Sequence, residues 1–269
     1  PTANIVAVDI SAGTLAVAQE RIRHSCPPGD RSIEFRHLSL YDLDQIEGEF
    51  DAINCVGVLH HMPEPIGGIK ALASKLAPGG ILHIFVYAAI GRWEISLMQE
   101  AIALLQSQNP DASIKQGVKL GRDIFATLPA SNRLVQREKT RWQLENNRDE
   151  CFADMYVNPQ EIDYTIDTLF ELIEASDLEF VGFSNPQTWQ PERLLGNNPE
   201  LLALAQALPA RQQYRLIELL DTDIAHYEFF LSRPPLPKPD WSIDRNILNV
   251  IPQRHPCIDG WESGCLFDP

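Results

Sequence analysis

The chain has 269 residues, of which 44% are hydrophobic, so it is long enough to form one large domain or a core with a cap. Its formal net charge is −15. Nucleic-acid phosphates and anionic membranes both require a positive protein face, so we expect neither a nucleic-acid nor a membrane partner.

Cysteine usage points to a reducing compartment. The number of cysteines is odd and no two of them form a CxxC pair, so neither a disulfide framework nor a metal site is expected. Free thiols in a reducing cytoplasm are the simplest interpretation. No apolar run reaches membrane-spanning length. The chain starts without Met and almost inside a strand, so we expect it to be cut from a longer product.

Strands alternate with helices over the first ninety residues. Ile5-Val6-Ala7-Val8 is a short β-branched run that fits a strand buried on both faces. Ser11 can cap the helix that follows. Further strands are expected at residues 33–38, 50–56 and 81–87, with a helix at 66–76. This alternation predicts an α/β fold of the Rossmann-like, doubly wound type with a mostly parallel sheet.

The pattern changes at Gly91. Residues 93–106 and 118–128 have helical spacing, and no strand signal follows before residue 160, so we expect a helical insertion that forms a lid. A helix at 165–175 and a strand at 178–183 resume the core. A broken helical stretch at 192–220 precedes the last strand, at 226–231, which we expect to be antiparallel. The predicted parts are a cofactor-binding core 1–90, a lid 91–160, the remainder of the core 161–233 and a Pro-rich tail 234–269.

Four short motifs carry the chemistry. An acid at the carboxyl end of a parallel strand can accept hydrogen bonds from a ribose diol, and Asp9 is placed for this, although helix capping explains such a residue equally well. The motifs are Val8-Asp9-Ile10-Ser11, Phe50-Asp51-Ala52-Ile53, Val58-Leu59-His60-His61 and Leu76-Ala77-Pro78-Gly79-Gly80-Ile81-Leu82. Together they strongly resemble the class I S-adenosylmethionine-dependent methyltransferases of type 11/12, in an uncharacterised bacterial branch.

The resemblance implies S-adenosylmethionine as the cofactor. It places Asp9 on the ribose hydroxyls and Ile10 against the adenine. Ser39 and Leu40 lie where the family contacts the adenine edge, and Ser39 replaces the usual aspartate. The end of the fourth family strand faces the methionine moiety and the transferred methyl, and its residues here are Cys55, Val56 and Gly57.

The residues that would act on or bind the methyl acceptor are predicted less directly than those of the cofactor site. His60 and Tyr87 are the candidate catalytic residues, with positioning favoured over general-base work for His60. The candidate substrate residues are Arg92, Asp154, Tyr156 and Tyr164, each of which also has a structural interpretation. A second resemblance, to the branch pattern D-x-x-x-HP-x-D-x-x-YT, covers residues 154–165, where Asn158 and Glu161 replace the His and the second Asp.

The first family strand and its glycine-rich loop do not occur in the sequence, although that loop lets the backbone approach the cofactor. We therefore expect methyl transfer to a small-molecule or protein side-chain acceptor. For this chain alone we expect weak cofactor binding or none, and a partly exposed sheet edge. The sequence does not specify the oligomeric state. Two alternatives stay open: a cofactor-binding or regulatory module without activity, and a nicotinamide-dependent dehydrogenase.

Overall fold

The computed structural model describes residues 4–25, 32–109, 112–158 and 160–235. The chain divides into two compact units, Pro1–Pro235 and Leu236–Pro269. The second unit, and with it nearly all of the predicted tail 234–269, lies outside the described residues.

The strands form two hydrogen-bonded groups. Within the described residues, β1 pairs in parallel with β2, and the other four strands form a sheet of order β3-β4-β6-β5. β3 and β4 are parallel, whereas β6 is antiparallel to both of its neighbours. The predicted Rossmann-like α/β class is confirmed, as is the antiparallel last strand. The strands are β1 (Asn4–Asp9), β2 (Ser32–His37), β3 (Phe50–Val56), β4 (Leu76–Tyr87), β5 (Glu179–Phe183) and β6 (His226–Ser232).

Ten α-helices occur in the described residues, some joined by short turns of 3₁₀ or π geometry. They are α1 (Ala12–Ser25), α2 (Pro65–Lys75), α3 (Trp93–Gln106), α4 (Ile114–Thr127), α5 (Arg133–Arg137), α6 (Asp149–Tyr156), α7 (Ile166–Glu174), α8 (Glu192–Leu195), α9 (Pro199–Gln206) and α10 (Ala210–Leu220). The 3₁₀ turns are Leu40–Gln45 and Leu59–His61, and a π turn spans Glu138–Trp142. None of the described helices is long and apolar enough to cross a bilayer.

Alternation along the central strands builds the main core. Leu82, Ile84 and Val86 of β4 are fully buried, whereas the side chains between them are partly exposed. Because successive side chains point to opposite faces of a strand, one face of this sheet is buried. The apolar sides of α2 and α7 supply its other half, through Ile69 and Leu169 among others. This core holds the carboxyl ends of β3 and β4 in fixed positions.

Two element boundaries differ from the prediction. β4 starts at Leu76 rather than at Ile81, because Leu76 pairs with Phe50 across an irregularity that spans Pro78-Gly79-Gly80. Gly79 adopts a φ of +77°, and its N–H donates to the Arg233 carbonyl at 2.8 Å. α4 starts at Ile114 rather than at Val118, because the Ser113 hydroxyl accepts from the Gln116 N–H and caps the helix.

Within its described residues, the segment between β4 and α7 contains the helices α3 to α6 and no strand apart from the single bridge Ala88–Tyr164, as the sequence predicts. Its apolar side chains form a second core, which includes Ile95, Met98, Phe152 and Tyr156. Gly91 is buried where this segment starts, and a Cβ there would come within 1.9 Å of the Ile224 carbonyl oxygen. We call residues 91–160 the insertion.

The insertion ends beside the point where it begins. The Tyr164 N–H donates to the Tyr87 carbonyl at 2.9 Å, and the Ala89 N–H donates to the Tyr164 carbonyl at 2.7 Å. A further backbone bond joins the Ile162 N–H to the His60 carbonyl at 2.8 Å. The residues on both sides of the insertion are therefore hydrogen-bonded to the ends of the central strands.

Candidate active site

Asp9 ends β1 with a carboxylate that is only partly used by the protein. Its Oδ1 accepts from the Ser11 N–H at 2.7 Å, and Ser11 in turn caps α1 by accepting from the Thr14 N–H. Within the described residues Oδ2 accepts no hydrogen bond, so it is available to a ligand hydroxyl. Ile10 beside it is 74% exposed. This leaves a free carboxylate oxygen next to an exposed apolar side chain, and the ribose and adenine roles of the pair stay predictions.

Ser39 and Leu40 occupy the turn after β2. The Ser39 hydroxyl caps the 3₁₀ turn by accepting from the Tyr41 N–H at 3.3 Å. Leu40 is half-buried against the main core. The hydroxyl already has a structural partner, so contact of Ser39 with the adenine stays a prediction.

The end of β3 separates a buried thiol from an exposed surface. Cys55 is buried, and burial raises the pKa of its thiol to about 12, so the thiol is protonated at neutral pH. This supports the expectation that Cys55 is not a nucleophile. Val56 is exposed, and Gly57 has a φ of +73° with open space where a side chain would project. The Gly57 N–H donates to the Phe85 carbonyl at 3.4 Å, which ties this turn to β4.

His60 and Tyr87 are in direct contact. Their ring centroids are 3.9 Å apart, although one residue follows β3 and the other ends β4. His60 is fully buried, and neither of its ring nitrogens has a hydrogen-bond partner in the described part of the chain. Burial, with the neighbouring His61 and Arg92, lowers the pKa of His60 to about 3. The imidazole is therefore neutral and a weak base, which favours the predicted positioning role.

Arg92 lies over the other predicted catalytic residue. Its guanidinium carbon is 3.5 Å from the Tyr87 ring centroid, and the residue is 3% exposed. Burial raises the pKa of Tyr87, with Arg92 acting in the opposite direction. The phenol is consequently protonated at neutral pH and serves as a hydrogen-bond donor rather than as a ready base.

Two carboxylates share the Arg92 guanidinium. Glu161 accepts from it at 2.8 Å, and Asp163 lies 3.4 Å from its Nε. Gln99 donates to Glu161 at 3.2 Å, and Ser96 donates to Asp163 at 3.0 Å. Burial raises the pKa of Glu161 despite its ion pair with Arg92. A buried cation is thus held between an aromatic ring and two acids.

The sequence motifs predict Arg92 but not this supporting set. Asp163, Ser96 and Gln99 are not among the predicted site residues, and Glu161 enters only as a departure from the branch pattern. The signal available is the Glu161-x-Asp163 spacing next to Tyr164, which places both acids on the return of the chain to β4. Only the folded structure shows that α3 supplies the other donors.

A cavity of about 450 Å³ opens beside this group. Tyr87 and Arg92 form its inner wall, and the insertion supplies the rest, with the predicted Asp154 among its residues. Asp154 is exposed, and its negative charge acts on Tyr87. The other lining residues are Leu144, Glu145, Asn146, Asn147, Arg148, Cys151 and Met155. The structure therefore brings Tyr87, Arg92 and Asp154 together around one space.

Tyr156 and Tyr164 lie elsewhere, which corrects their predicted placement beside the substrate. Tyr156 packs in the second core, where its hydroxyl donates to Glu138. Tyr164 packs in the main core, and burial raises the pKa of its phenol to about 12. Both are large apolar rings that the cores bury, so the structural interpretation of each is the one supported by its position.

No group of three or more His, Cys, Asp or Glu side chains within the described residues is arranged to hold a metal ion. The two cysteines of that part of the chain, Cys55 and Cys151, are free thiols.

Comparison with known proteins agrees with the predicted fold and with the predicted cofactor. Residues 1–82 match a family model described as a methyltransferase domain. A ubiquinone biosynthesis O-methyltransferase of Dechloromonas aromatica is 37% identical over 99 residues, which are 33% of this chain and 41% of that protein. The resemblance to class I S-adenosylmethionine-dependent methyltransferases that the sequence motifs predict is therefore confirmed for residues 1–82.

Two longer relationships extend beyond that domain. An uncharacterised protein of Synechococcus is 60% identical over all 269 residues, and the chain spans 64% of its length. The structure of PKMT2 from Rickettsia typhi matches 90% of this chain and 46% of its own, with a TM-score of 0.65 and 18% identity. A second structure of PKMT2, in complex with AdoHcy, gives a TM-score of 0.62. These structures share the fold over most of this chain.

Proposed function

We propose that the protein containing this chain transfers the methyl group of S-adenosylmethionine to an acceptor bound in the cavity between Tyr87 and the insertion. The observation that carries this proposal is the contact between His60 and Tyr87. It joins the turn after β3, where the family resemblance places the transferred methyl, to the inner wall of the cavity. A methyl donor and an acceptor would then meet at one point.

The residues present fit part of the cofactor. The unused oxygen of Asp9 suits the ribose diol, Ile10 offers an exposed apolar surface for the adenine, and the open turn at Gly57 leaves room for the methionine moiety. When bound, S-adenosylmethionine supplies a methyl group already activated by a positive sulfur. The protein then has to position the acceptor in line and to exclude water.

The side chains around the cavity divide these tasks. Tyr87 can donate a hydrogen bond to the acceptor, and His60 and Arg92 fix the position of its ring. Neither His60, with a pKa of about 3, nor the protonated Tyr87 is a ready proton acceptor. An acceptor that must lose a proton would therefore use a carboxylate on the cavity wall, and Asp154 is the wall acid whose charge acts on Tyr87.

A cofactor-binding module without activity is the second candidate. Ser39 in place of the family's aspartate and Asn158 in place of the branch histidine favour it. We also propose a cytoplasmic location in a bacterium, which the free thiols of Cys55 and Cys151 support.

Calorimetric titration with S-adenosylmethionine and AdoHcy tests the proposal. The titration uses this chain and the full-length Synechococcus relative, of which the chain spans 64%. We expect both ligands to bind the relative and to bind the chain more weakly, with NADH giving no heat. If the ligands bind but no methylated product forms with amine, carboxylate or hydroxyl acceptors, the cofactor-binding module without activity would be the supported function. Absence of binding in both proteins would exclude both candidates.

A further inference from the structure

The two walls of the cavity are joined by one chain of hydrogen bonds. Tyr87 and Arg92 belong to the inner wall, and Met155 of α6 belongs to the wall that the insertion supplies. The Gln99 Nε2 donates to the Met155 carbonyl at 3.0 Å and to the Glu161 Oε1 at 3.2 Å. Both of these partners can only accept, which fixes the orientation of the amide. Gln99 therefore ties α6 to Glu161.

Glu161 extends this chain of hydrogen bonds to the tyrosine. Its Oε1 also accepts from the Arg92 guanidinium at 2.8 Å, and the two side chains are 5% and 4% exposed. A hydrogen bond between two charged groups is stronger than a neutral one, so Glu161 fixes the position of the guanidinium. The guanidinium carbon in turn lies 3.5 Å from the Tyr87 ring centroid. The position of the ring therefore depends on Glu161.

Asp163 contacts the same guanidinium less closely. Its Oδ1 lies 3.4 Å from the Arg92 Nε, and neither atom has a hydrogen-bond partner among the described residues. Ser96 donates to the other carboxylate oxygen. Of the two acids, Glu161 is thus the one that is hydrogen-bonded both to the guanidinium and, through Gln99, to the insertion.

We infer that Glu161 is a positioning residue for methyl transfer, acting through Arg92 and Tyr87, and that Gln99 couples it to the insertion; this rests on the proposed function. Under that function the Tyr87 hydroxyl donates to the acceptor, so the position of the ring determines where the acceptor is held. A displacement of about 1 Å at such a point can reduce a rate about a hundredfold. The chain from Met155 to Tyr87 also sets the separation of the two cavity walls.

The acid acts on the proton of the Tyr87 phenol as well. The charged and titratable groups that face this ring are Arg92, Asp154, Glu161, Asp163, His60 and His61. Burial raises the pKa of the phenol, Arg92 lowers it, and the charge of Glu161 is one of those that raise it. Loss of that charge should therefore let the phenol ionise at a lower pH.

The test follows Tyr87 by fluorine NMR in the chain labelled with fluorotyrosine. The chain has six tyrosines, and Tyr87→Phe identifies the resonance of Tyr87. Glu161→Gln keeps the shape of the side chain and removes its charge, so we expect the resonance to move and the phenol to ionise at a lower pH than in the wild type. Gln99→Leu should also move the resonance, although it removes no charge. The double variant should move it by less than the sum of the two, because Gln99 acts through Glu161.

Asp221→Asn is the matched control, because it removes an acid that is paired with Arg193 outside the cavity. A side chain that only stabilised the fold would change the melting temperature and leave the Tyr87 resonance of the folded protein where it is. A resonance and an ionisation in Glu161→Gln like those of the control would overturn the inference. If thermal unfolding shows that Glu161→Gln does not fold, an unmoved resonance in Gln99→Leu would overturn it instead.

The AdoHcy titration described above tests the proposed function separately. Absence of binding both by this chain and by the full-length Synechococcus relative would overturn that function, and with it the role of Glu161 in methyl transfer. Binding of AdoHcy together with an unmoved Tyr87 resonance would overturn the role of Glu161 alone.

Discussion

The guanidinium carbon of Arg92 lies 3.5 Å from the centroid of the Tyr87 ring, in a position that solvent barely reaches. A desolvated cation over an aromatic face contributes about 2 kcal/mol, and here the same cation also pairs with Glu161 and Asp163. The contact holds the ring at the carboxyl end of β4 and so defines the inner wall of the cavity. Tyr87 is therefore positioned by charge as well as by packing.

Arg92→Ala should destabilise the protein strongly. The substitution leaves two buried carboxylates without their shared cation, so we expect the free energy of unfolding to fall by about 3–5 kcal/mol. Urea denaturation measures the change. Arg133→Ala is the control, because Arg133 is exposed and lies 5.5 Å from the Trp93 ring, where about 1 kcal/mol or less is expected. A loss at Arg92 as small as that at Arg133 would contradict the interpretation.

His60 should make the free energy of unfolding depend on pH. Its pKa falls from 6.5 to about 3 on folding, so between these values the unfolded chain binds the additional proton. Stability is therefore lost as the pH falls from about 6.5 towards 3, at a slope of at most about 1.4 kcal/mol per pH unit. His60→Gln removes this slope, so the stability difference between wild type and variant should shrink as the pH falls.

Urea denaturation at several pH values between 7 and about 3.5 measures that difference, over the window set by the His60 pKa. His24→Gln, on the exposed side of α1, should leave the pH dependence as it is in the wild type. A His60→Gln difference that stays constant across the window would mean that the buried imidazole is not neutral in the folded state.

Asp9→Ala should abolish AdoHcy binding, because the ribose would lose the only acceptor predicted for its diol. Calorimetric titration measures the affinity. Asp123→Ala, which removes an exposed carboxylate paired with Lys119 on α4, is the matched control and should bind as the wild type does. Unchanged affinity in the Asp9 variant would remove Asp9 from the cofactor site.

Two glycine-to-alanine substitutions should change the free energy of unfolding in opposite directions. Gly91→Ala places a Cβ 1.9 Å from the Ile224 carbonyl oxygen, so the backbone has to shift and we expect a loss of about 2–4 kcal/mol. In Gly13→Ala the nearest atom is the Ser11 hydroxyl, at 3.7 Å, and the helix α1 should gain about 0.5–1 kcal/mol. Thermal and urea denaturation compare them. Equal tolerance at the two positions would show that the start of the insertion is free to move.

The unpaired strand edges should promote association. Within the described residues β1 pairs only with β2, and β3 only with β4, so each has one edge without a partner. Exposed backbone edges recruit further strands. Sedimentation velocity should show the chain associating as its concentration rises, and Ala52→Lys on the exposed part of β3 should reduce this. A monomer at every concentration in the unmodified chain would contradict the expectation.

The strands and most helices are predictable from the sequence because their signals are local. The β-branched run at Ile5, the apolar alternation before Tyr87 and the cap at Ser11 each depend on neighbouring residues. The extension of β4 to Leu76 is not predictable from local sequence, because it depends on pairing with Phe50. A Pro-Gly-Gly run predicts a turn unless a partner strand overrides it.

Only the cofactor side of the candidate site is predictable from the sequence. Motifs mark Asp9 and the residues at the end of β3, since each follows directly from a strand signal. Residues that act through distant partners give no such signal: Gln99 reaches Glu161 across 62 positions, and Ser96 reaches Asp163 across 67. Tyr156 and Tyr164 look like pocket residues in the sequence because they lie beside a recognisable motif, but their large rings pack in the two cores.

The backbone bonds between Tyr87, Ala89 and Tyr164 have a consequence for how such proteins can change. The residues at the start and the end of the insertion are hydrogen-bonded to each other at one place beside β4. The sheet therefore contacts the same residues there, whatever sequence the insertion has between them. Helices of another length or sequence could be grafted there at little cost to the strands. Under the proposed function, exchange of the insertion alone could change the acceptor preference among relatives and leave the cofactor-binding strands unaltered.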